Sequence, residues 1–342
     1  MKCQIIIVVW NQFEVTKNCL ESILEKTKAP FEIILVDNAS EEKTASYLKN
    51  FSSRYQDKVR LIRNNSNLGF IKAVNQAMGS ATADFVCLLN NDTIVAENWL
   101  NELIFVAQNN PTIGLLNPSS NTLGQKTEVE NIDNFAQGLS KYHGQFEEMA
   151  QASGFCMLIK KEVIQKIGTL DEVYGMGYFE DTDYSRRAMK NGFRCARAIA
   201  GYVYHCEKTS FLKMPGHNSA FKKNQELFYK RWEKPKRIFV EVKKGLLSKY
   251  VGKLKSLAKN GDWILIAKKE NVRLPSFNHT NIKEISFSEK NFDLKCFFKI
   301  IKRTKKKYDY LVIQSPVLRR MLAFFKFFHK AKVLSLRKLE EL

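Results

Sequence analysis

No run of about 18 apolar residues occurs in the chain, so no membrane-spanning helix is expected. No GxGxxG follows the first apolar segment and no GxxxxGKS/T occurs anywhere, which removes the dinucleotide fingerprint and the P-loop, and with them dehydrogenase and NTPase readings. The seven cysteines show no CxxC or close-pair spacing, and several sit inside apolar runs. That argues against a zinc knuckle or a disulfide framework and for reduced, cytoplasmic thiols used as small hydrophobes. The opening MKCQIIIVVWN lacks a small-residue cleavage site, so it reads as a first buried strand and not as a signal peptide. No zinc finger, helix-turn-helix or RNA-binding aromatic pair occurs, and nucleic acid is not expected as a partner.

What the sequence does have is an uneven charge. Of 55 Lys and Arg and 35 Asp and Glu, residues 230–342 hold 30 and 10, so the whole net charge of +20 is C-terminal. A neutral body with a strongly basic tail suggests a division between chemistry in the first part and attraction to a polyanion in the second. The length allows one large domain and a smaller one, and the expected boundary separates residues 1–232 from 233–342.

Gln4 to Trp10 (QIIIVVW), Phe31 to Val36 (FEIILV), Val59 to Arg63 and Phe85 to Leu89 are short apolar runs alternating with helix-period segments. Four β-then-α steps in under 100 residues point to α/β architecture with a mostly parallel, doubly wound sheet. Each strand ends in polar residues: Asn11, Asp37-Asn38, Asn64 to Gly69, and Asn90-Asn91-Asp92. Ligands of such sheets bind outside the carboxyl ends of strands, so four polar strand ends describe a candidate crevice. Taken alone, Asn90-Asn91-Asp92 reads equally as a turn or a helix cap. Without a Gly-rich loop, a bound nucleotide would need a divalent ion on Asp92 to neutralise its diphosphate.

The segment Ser119 to Met149 is irregular and polar. A second dense stretch follows at LDEVYGMGYFEDTDYSRR, where Tyr174, Met176, Tyr178 and Phe179 lead into Glu180, Asp181 and Asp183. Acidic residues in a first helical turn favour the helix dipole, which explains one or two of these carboxylates but not the aromatic wall before them. Phe193 to Arg197 and Ala200 to Tyr204 read as strands, and His205 closes the second. Residues 210–232 read as a loop and a lysine-rich helix, suited either to closing over a phosphate-bearing ligand or to connecting two domains. Beyond them, Lys234 to Leu257 reads as an amphipathic helix, followed by a small α/β appendage. Its LAFFKFFHK segment has an interfacial composition, pointing to an anionic membrane surface or to packing within a homo-oligomer.

The stretches IIIVVWNQ, IILVDNAS, NNSNLGFIKAVNQAM, FVCLLNNDT, ASGFCMLIKKEVIQKIGTLDE, YFEDTDYSRRAMKNGFRC and VYH occur in order over residues 1–230. Together they resemble the family 2 inverting glycosyltransferases of the GT-A fold, especially their rhamnosyltransferase-like bacterial branch. The basic C-terminal part carries no such likeness. The resemblance implies that Asn90-Asn91-Asp92 stands at the metal-binding DxD motif with its first aspartate replaced, leaving Asp92 as the carboxylate for Mn²⁺ or Mg²⁺ and His205 to complete the metal shell. It implies donor contacts at Val9, Asn11, Asp37, Asn38, Asn67, Gly69, Asn75, Asn90 and Asn91, with Asp37 at the nucleotide base. Catalysis falls to Asp181, as base, in the Glu180-Asp181 pair, and the acceptor side to Tyr174, Met176, Tyr178, Phe179 and Asp183.

The implied partners are a UDP- or dTDP-hexose donor and a saccharide, lipid-linked or glycoprotein glycan acceptor. The expected location is cytoplasmic, peripheral at the inner face of the cell membrane. Asn90 keeps open an alternative, a catalytically inactive nucleotide-sugar-binding subunit or scaffold of a glycan-assembly complex. A nucleotidyltransferase would need a glycine-rich basic loop that WNQFEVT (10–16) does not offer.

Overall fold

The computed structural model describes residues 1–207, 217–245 and 248–342. They divide into two compact units, Met1–Glu147 with Gln151–Trp232, and Glu148–Ala150 with Glu233–Leu342. The expected loop at the start of the 210–232 segment, through residue 216, lies outside the described residues.

In the first unit β1 (Cys3–Val9), α1 (Phe13–Lys26), β2 (Phe31–Asp37), α2 (Glu42–Arg54), β3 (Val59–Arg63), α3 (Phe70–Gly79) and β4 (Phe85–Leu89) alternate as the periodicity predicts. β1 buries every residue except Val8, because a central parallel strand is covered on both faces. Each such Ile or Val contributes about 1.5–3 kcal/mol by leaving water, and a charge at Ile7 would break the strand. β5 (Thr93–Val95), α4 (Trp99–Asn109), β6 (Ile113–Ser119), α5 (Ile132–Leu139), β7 (Phe146–Met149), β8 (Cys156–Lys160), α6 (Lys161–Ile167), α7 (Glu180–Lys190), β9 (Arg194–His205) and α8 (His217–Arg231) complete it. The sheet order is β3-β2-β1-β4-β8-β6-β9-β5, with β7 beside β9. Pairing is parallel through β3-β2-β1-β4 and between β6 and β9, and antiparallel where β8 enters between β4 and β6. Val9 lies opposite Asp37, so the polar ends of β1 and β2 open on the same edge.

The second unit is a five-stranded, wholly parallel sheet ordered β12-β11-β10-β13-β14. Its elements are β10 (Arg237–Val242), α9 (Ser248–Lys259), β11 (Trp263–Lys269), β12 (Ile282–Phe287), α10 (Phe292–Ile301), β13 (Tyr310–Val312), α11 (Pro316–Phe324), α12 (Lys326–His329) and β14 (Lys332–Leu334). The architecture is thus α/β throughout, with a largely parallel main sheet and a smaller C-terminal α/β region.

Three local expectations are corrected. The helix expected over Lys234 to Leu257 is a strand and a helix, because RIFVEV is a buried β-branched and aromatic run in which all residues but Arg237 are buried. Phe193 to Arg197 and Ala200 to Tyr204 are one strand, β9, which absorbs a register irregularity opposite Pro118 and Ser119. The irregular stretch after Ser119 contains α5, anchored by buried Ile132 and Ala136. All seven cysteines are free and six are buried, with burial pushing Cys19 up to about 12 and Cys195 up to about 11, so they act as small apolar groups. Among the described residues, no helix is long and apolar enough to cross a membrane.

Candidate active site

β4 ends in Asn90-Asn91-Asp92, and the chain turns at once into β5, which pairs antiparallel with the end of β9 so that Thr93 faces His205. Cys206 donates its backbone N–H to the Asp92 carbonyl at 2.9 Å. This pairing sets Asp92 Oδ1 3.1 Å from His205 Nε2. Asn121 clamps the histidine backbone from both sides, donating to its carbonyl and accepting from its N–H, each at 2.9 Å. The Phe155 ring stacks on the imidazole at 5.1 Å and 15°.

Asp181 joins the same cluster through two consecutive residues. Gly154 donates its N–H to Asp181 Oδ2 at 2.9 Å, while the Phe155 carbonyl accepts the Asn90 N–H at 2.8 Å. Asn90 Nδ2 is 3.5 Å from His205 Nε2. The Gly154-Phe155 segment therefore ties the α7 carboxylate to the strand-end pair.

Asp92 and His205 suit a divalent cation as part of its shell. Among the described residues, no three His, Cys, Asp or Glu side chains converge as a full protein ligand set. A carboxylate and an imidazole leave the remaining positions to oxygens of a diphosphate and water, and the nitrogen ligand weighs toward Mn²⁺ over the harder Mg²⁺.

The two carboxyls at the start of α7 are held differently. Burial, and then the neighbouring Asp181, push Glu180 up to about 8, and its Oε2 is buried without a hydrogen-bond partner among the described residues. Burial also raises Asp181, against hydrogen bonds from Gly154 N–H and from the Thr182 N–H (2.6 Å) and hydroxyl (3.1 Å). Burial thus favours the protonated form of Glu180 at neutral pH, while the hydrogen bonds to Asp181 oppose the rise of its carboxyl. Because the folded state holds a proton on Glu180 that the unfolded state releases above its ordinary 4.5, stability should fall as pH rises from there to about 8. Glu180→Gln should flatten that slope and melt higher than the native protein above about pH 8, as a thermal-denaturation series across pH would show. Parallel pH profiles for the two proteins would contradict it.

The approach to α7 is strained: Tyr178 and Phe179 are consecutive non-glycine residues with φ 71° and 72°. Such residues cost about 1–3 kcal/mol each and persist only where their surroundings over-determine them. Here the clamp is Asn224 of α8, a buried residue whose Nδ2 donates to the carbonyls of Tyr174 and Gly177, both at 2.7 Å. Phe179 also packs on Phe221 and Phe228. Asn224→Ala leaves these carbonyls without their donor, at about 1–3 kcal/mol each. It should lower the melting temperature and raise the acceptor KM more than the donor KM; equal effects on both would remove the positioning role.

Tyr174 and Asp183, expected on the acceptor side, are both buried. Asp183 accepts from Arg187 Nε, Arg231 Nη1 and Trp232 Nε1, each at 2.8 Å, and from the Tyr174 hydroxyl at 3.3 Å, so in this conformation it anchors α8 to α7. Met176 stays exposed and touches the donor-side loop, since a Cβ on Gly69 (φ 81°) would lie 2.8 Å from its Sδ.

On the donor side, Asp37 is buried, with Oδ1 accepting the Ser40 N–H at 2.8 Å and Oδ2 paired with Arg63. Asn38 donates its N–H to the Val9 carbonyl at 2.8 Å and organises the β3–α3 loop: Nδ2 donates to Asn67 Oδ1 (2.7 Å), and Oδ1 accepts from Asn64 Nδ2 and Leu68 N–H (both 3.1 Å). Asn11, at φ 58°, accepts the Glu41 N–H at 2.7 Å and so joins the first two strand ends. Asn91 donates to Thr16 Oγ1 at 2.8 Å. Asn75 exchanges hydrogen bonds with both backbone groups of Leu170. Sequence reasoning missed Arg63, Asn121 and Asn224, which stand in no motif, and gave no role to Phe155 within ASGFCMLI; each earns its place only through a contact distant in sequence.

Residues 4–168 match the model of the family described as Glycosyl transferase family 2. An uncharacterized glycosyltransferase of Haemophilus influenzae is 25% identical over 219 residues, 60% of this chain and 69% of the relative. The uncharacterized protein y4gI of Sinorhizobium fredii is 24% identical over 251 residues, 67% of this chain and 27% of the relative. The chain also spans only about a third of the length of several curated glycosyltransferases that it matches. A solved structure of GalNAc-T7 with UDP, GalNAc and Mn²⁺ has a TM-score of 0.55 at 16% identity, covering 68% of this chain and 48% of that one, a likeness of fold.

Proposed function

We propose that this chain, whose residues 4–168 match the family 2 glycosyltransferase model, is a GT-A enzyme that transfers a hexose from a nucleotide-sugar donor to a glycan or lipid-linked saccharide hydroxyl with inversion. The observation that carries the reading is the joining of Asp181 to the Asp92–His205 pair through Gly154 and Phe155.

Asp181 accepts the proton of the acceptor hydroxyl as that oxygen attacks the anomeric carbon from the face opposite the diphosphate. The bond from the anomeric carbon to the diphosphate oxygen breaks with its electron pair, so the nucleoside diphosphate leaves and an α-linked donor yields a β-linked product. A divalent cation, Mn²⁺ before Mg²⁺, held on Asp92 and His205 would screen the charge gathering on the leaving diphosphate. Glu180, kept neutral beside Asp181, spares the base a like charge. Met176, Tyr178 and Phe179 supply the wall that excludes water, whose attack would hydrolyse the donor. Arg63 and the loop organised by Asn38 form the nucleotide side, and a base contact at Asp37 requires Arg63 to yield one carboxylate oxygen.

UDP-hexoses and dTDP-hexoses are the two donor classes proposed for this site. A panel of sugar nucleotides assayed by nucleoside-diphosphate release, with Asp181→Asn as control, tests the reading. Release above the control with one donor supports it, whereas nucleotide binding with no release for any donor and acceptor would favour the inactive scaffold that Asn90 left open.

A further inference from the structure

The second unit carries an aromatic and basic face that the transfer reaction does not use. Phe324, Phe327 and Phe328 are 85%, 81% and 54% exposed, and Phe298 on α10 is 47% exposed, values far outside the range of core rings. They belong to one surface. Phe297 of α10 packs edge-on to Phe325 at 5.1 Å, Phe325 meets Phe324 at 5.1 Å and Phe328 at 5.9 Å, and Phe328 meets Phe327 at 6.1 Å. Phe297 is itself 5.7 Å from Phe298. The chain of rings thus runs from the buried side of α10 out to the tips of α11 and α12.

Beside the rings is a cavity of about 520 Å³ lined by Lys295, Lys299, Lys302, Arg303, Tyr308 and Phe298, among others. None of its four cations forms an ion pair among the described residues. Lys302 lies over the Phe298 ring at 5.6 Å and Lys330 over the Phe327 ring at 5.8 Å, so positive charge accompanies the exposed rings at both ends of the face. Lys307 donates to the Phe328 carbonyl, bringing the Lys305–Lys307 run to the same edge.

We propose that this α10–α12 face docks on an anionic phospholipid bilayer, with Phe324, Phe327 and Phe328 entering the headgroup–acyl boundary and the Lys295–Arg303 cavity taking lipid phosphate. Rings that stay in water gain by entering that boundary, and cations beside them gain from a negative surface, a pairing that anionic lipid satisfies in one plane. A second copy of this chain would bring the same excess of positive charge to the contact, which works against self-association through this face. The inference rests on the glycosyltransferase reading only in giving the docking a purpose, nearness to a membrane-borne acceptor.

Flotation of the full chain with phosphatidylglycerol–phosphatidylcholine vesicles, against phosphatidylcholine alone, tests it at about 0.1 M and about 0.5 M salt. The expected result is binding to the anionic vesicles that salt weakens, a loss of about tenfold or more in Lys299→Glu/Lys302→Glu, and a loss in Phe324→Ser/Phe327→Ser at both salts. The two ring positions are exposed, so the serine variant should melt like the native protein and release nucleoside diphosphate at the native rate. Failure of the native chain to bind at low salt would overturn the proposal, as would undiminished binding by the serine variant. A native dimer that the serine variant converts to monomer would assign the face to a second copy, and equal, ring-dependent binding to a DNA duplex would assign it to nucleic acid. Vesicle binding is measured without turnover, so loss of the catalytic reading and loss of this one are separate results.

Discussion

Asp181→Asn should slow glycosyl transfer by about a hundred- to ten-thousand-fold while leaving nucleotide affinity nearly unchanged. The substitution keeps the shape and retains one oxygen to accept the Gly154 N–H, but it places an NH2 where Oδ1 accepts from Thr182 and removes the group that takes up the acceptor proton. Because burial raises the Asp181 carboxyl above its ordinary range, the acid limb of the kcat/KM profile should lie above that of an exposed aspartate. The sign follows from protonation: the base works only when ionised, so the rate rises with pH through the raised value and levels off above it. The variant's residual rate should show no such limb. Its stability should change little, since the amide avoids the cost of a buried charge while losing acceptance from the Thr182 N–H and hydroxyl. A variant with near-native turnover would remove Asp181 from the chemistry, and an unchanged acid limb in it would point to another base. The neighbour Glu180, which releases its proton only near 8, is the group that such a limb would then be compared with.

How much of this was legible beforehand depended on whether a feature is local. The β-then-α alternation of the first 100 residues is written in apolar periodicity, and the strands from β1 to β4 stand where the runs IIIVV, EIILV, VRLI and FVCLL place them. The polar strand ends were legible for the same reason. Contacts across the sheet were not. Thr93–Val95 is too short to read as a strand, yet its pairing with β9 is what brings Asp92 to His205. Asn121 lies in a polar stretch without period, and its clamp on the His205 backbone exists only because β6 and β9 are neighbours. Asp183 shows the converse. In sequence it is one of three carboxylates within four residues; in the fold, the two-residue step along α7 turns it to the opposite face, toward Arg187, Arg231 and Trp232, while Asp181 meets Gly154. In the basic unit, lysines on either side of RIFVEV imitated a helical polar face, and only the register of β10 between β11 and β13 reveals a buried strand.

Asp92→Ala should lower transfer by at least about a hundredfold and, as a separate effect, abolish any strengthening of nucleotide binding by Mn²⁺. The carboxylate is buried at the end of β4, and among the described residues its side chain meets the His205 imidazole, 3.1 Å away, so its charge is committed to this site. Its removal leaves β5 in place, because the β5–β9 pairing and the Cys206 N–H bond to the residue 92 carbonyl are made by backbone. The melting temperature should therefore shift little, which distinguishes loss of the cation from loss of the fold. Calorimetric titration of UDP with and without Mn²⁺ gives a readout independent of turnover: tighter binding with the cation in the native protein, and no difference in the variant. His205→Ala should fall between the two, since Asp92 remains but loses its neighbour. Chelation with EDTA should reproduce the Asp92→Ala rate in the native protein, and Mn²⁺ should restore it. Full turnover in EDTA, or cation-independent nucleotide binding by the native chain, would separate the Asp92–His205 pair from any metal and leave it as a hydrogen bond that joins β5 to β9.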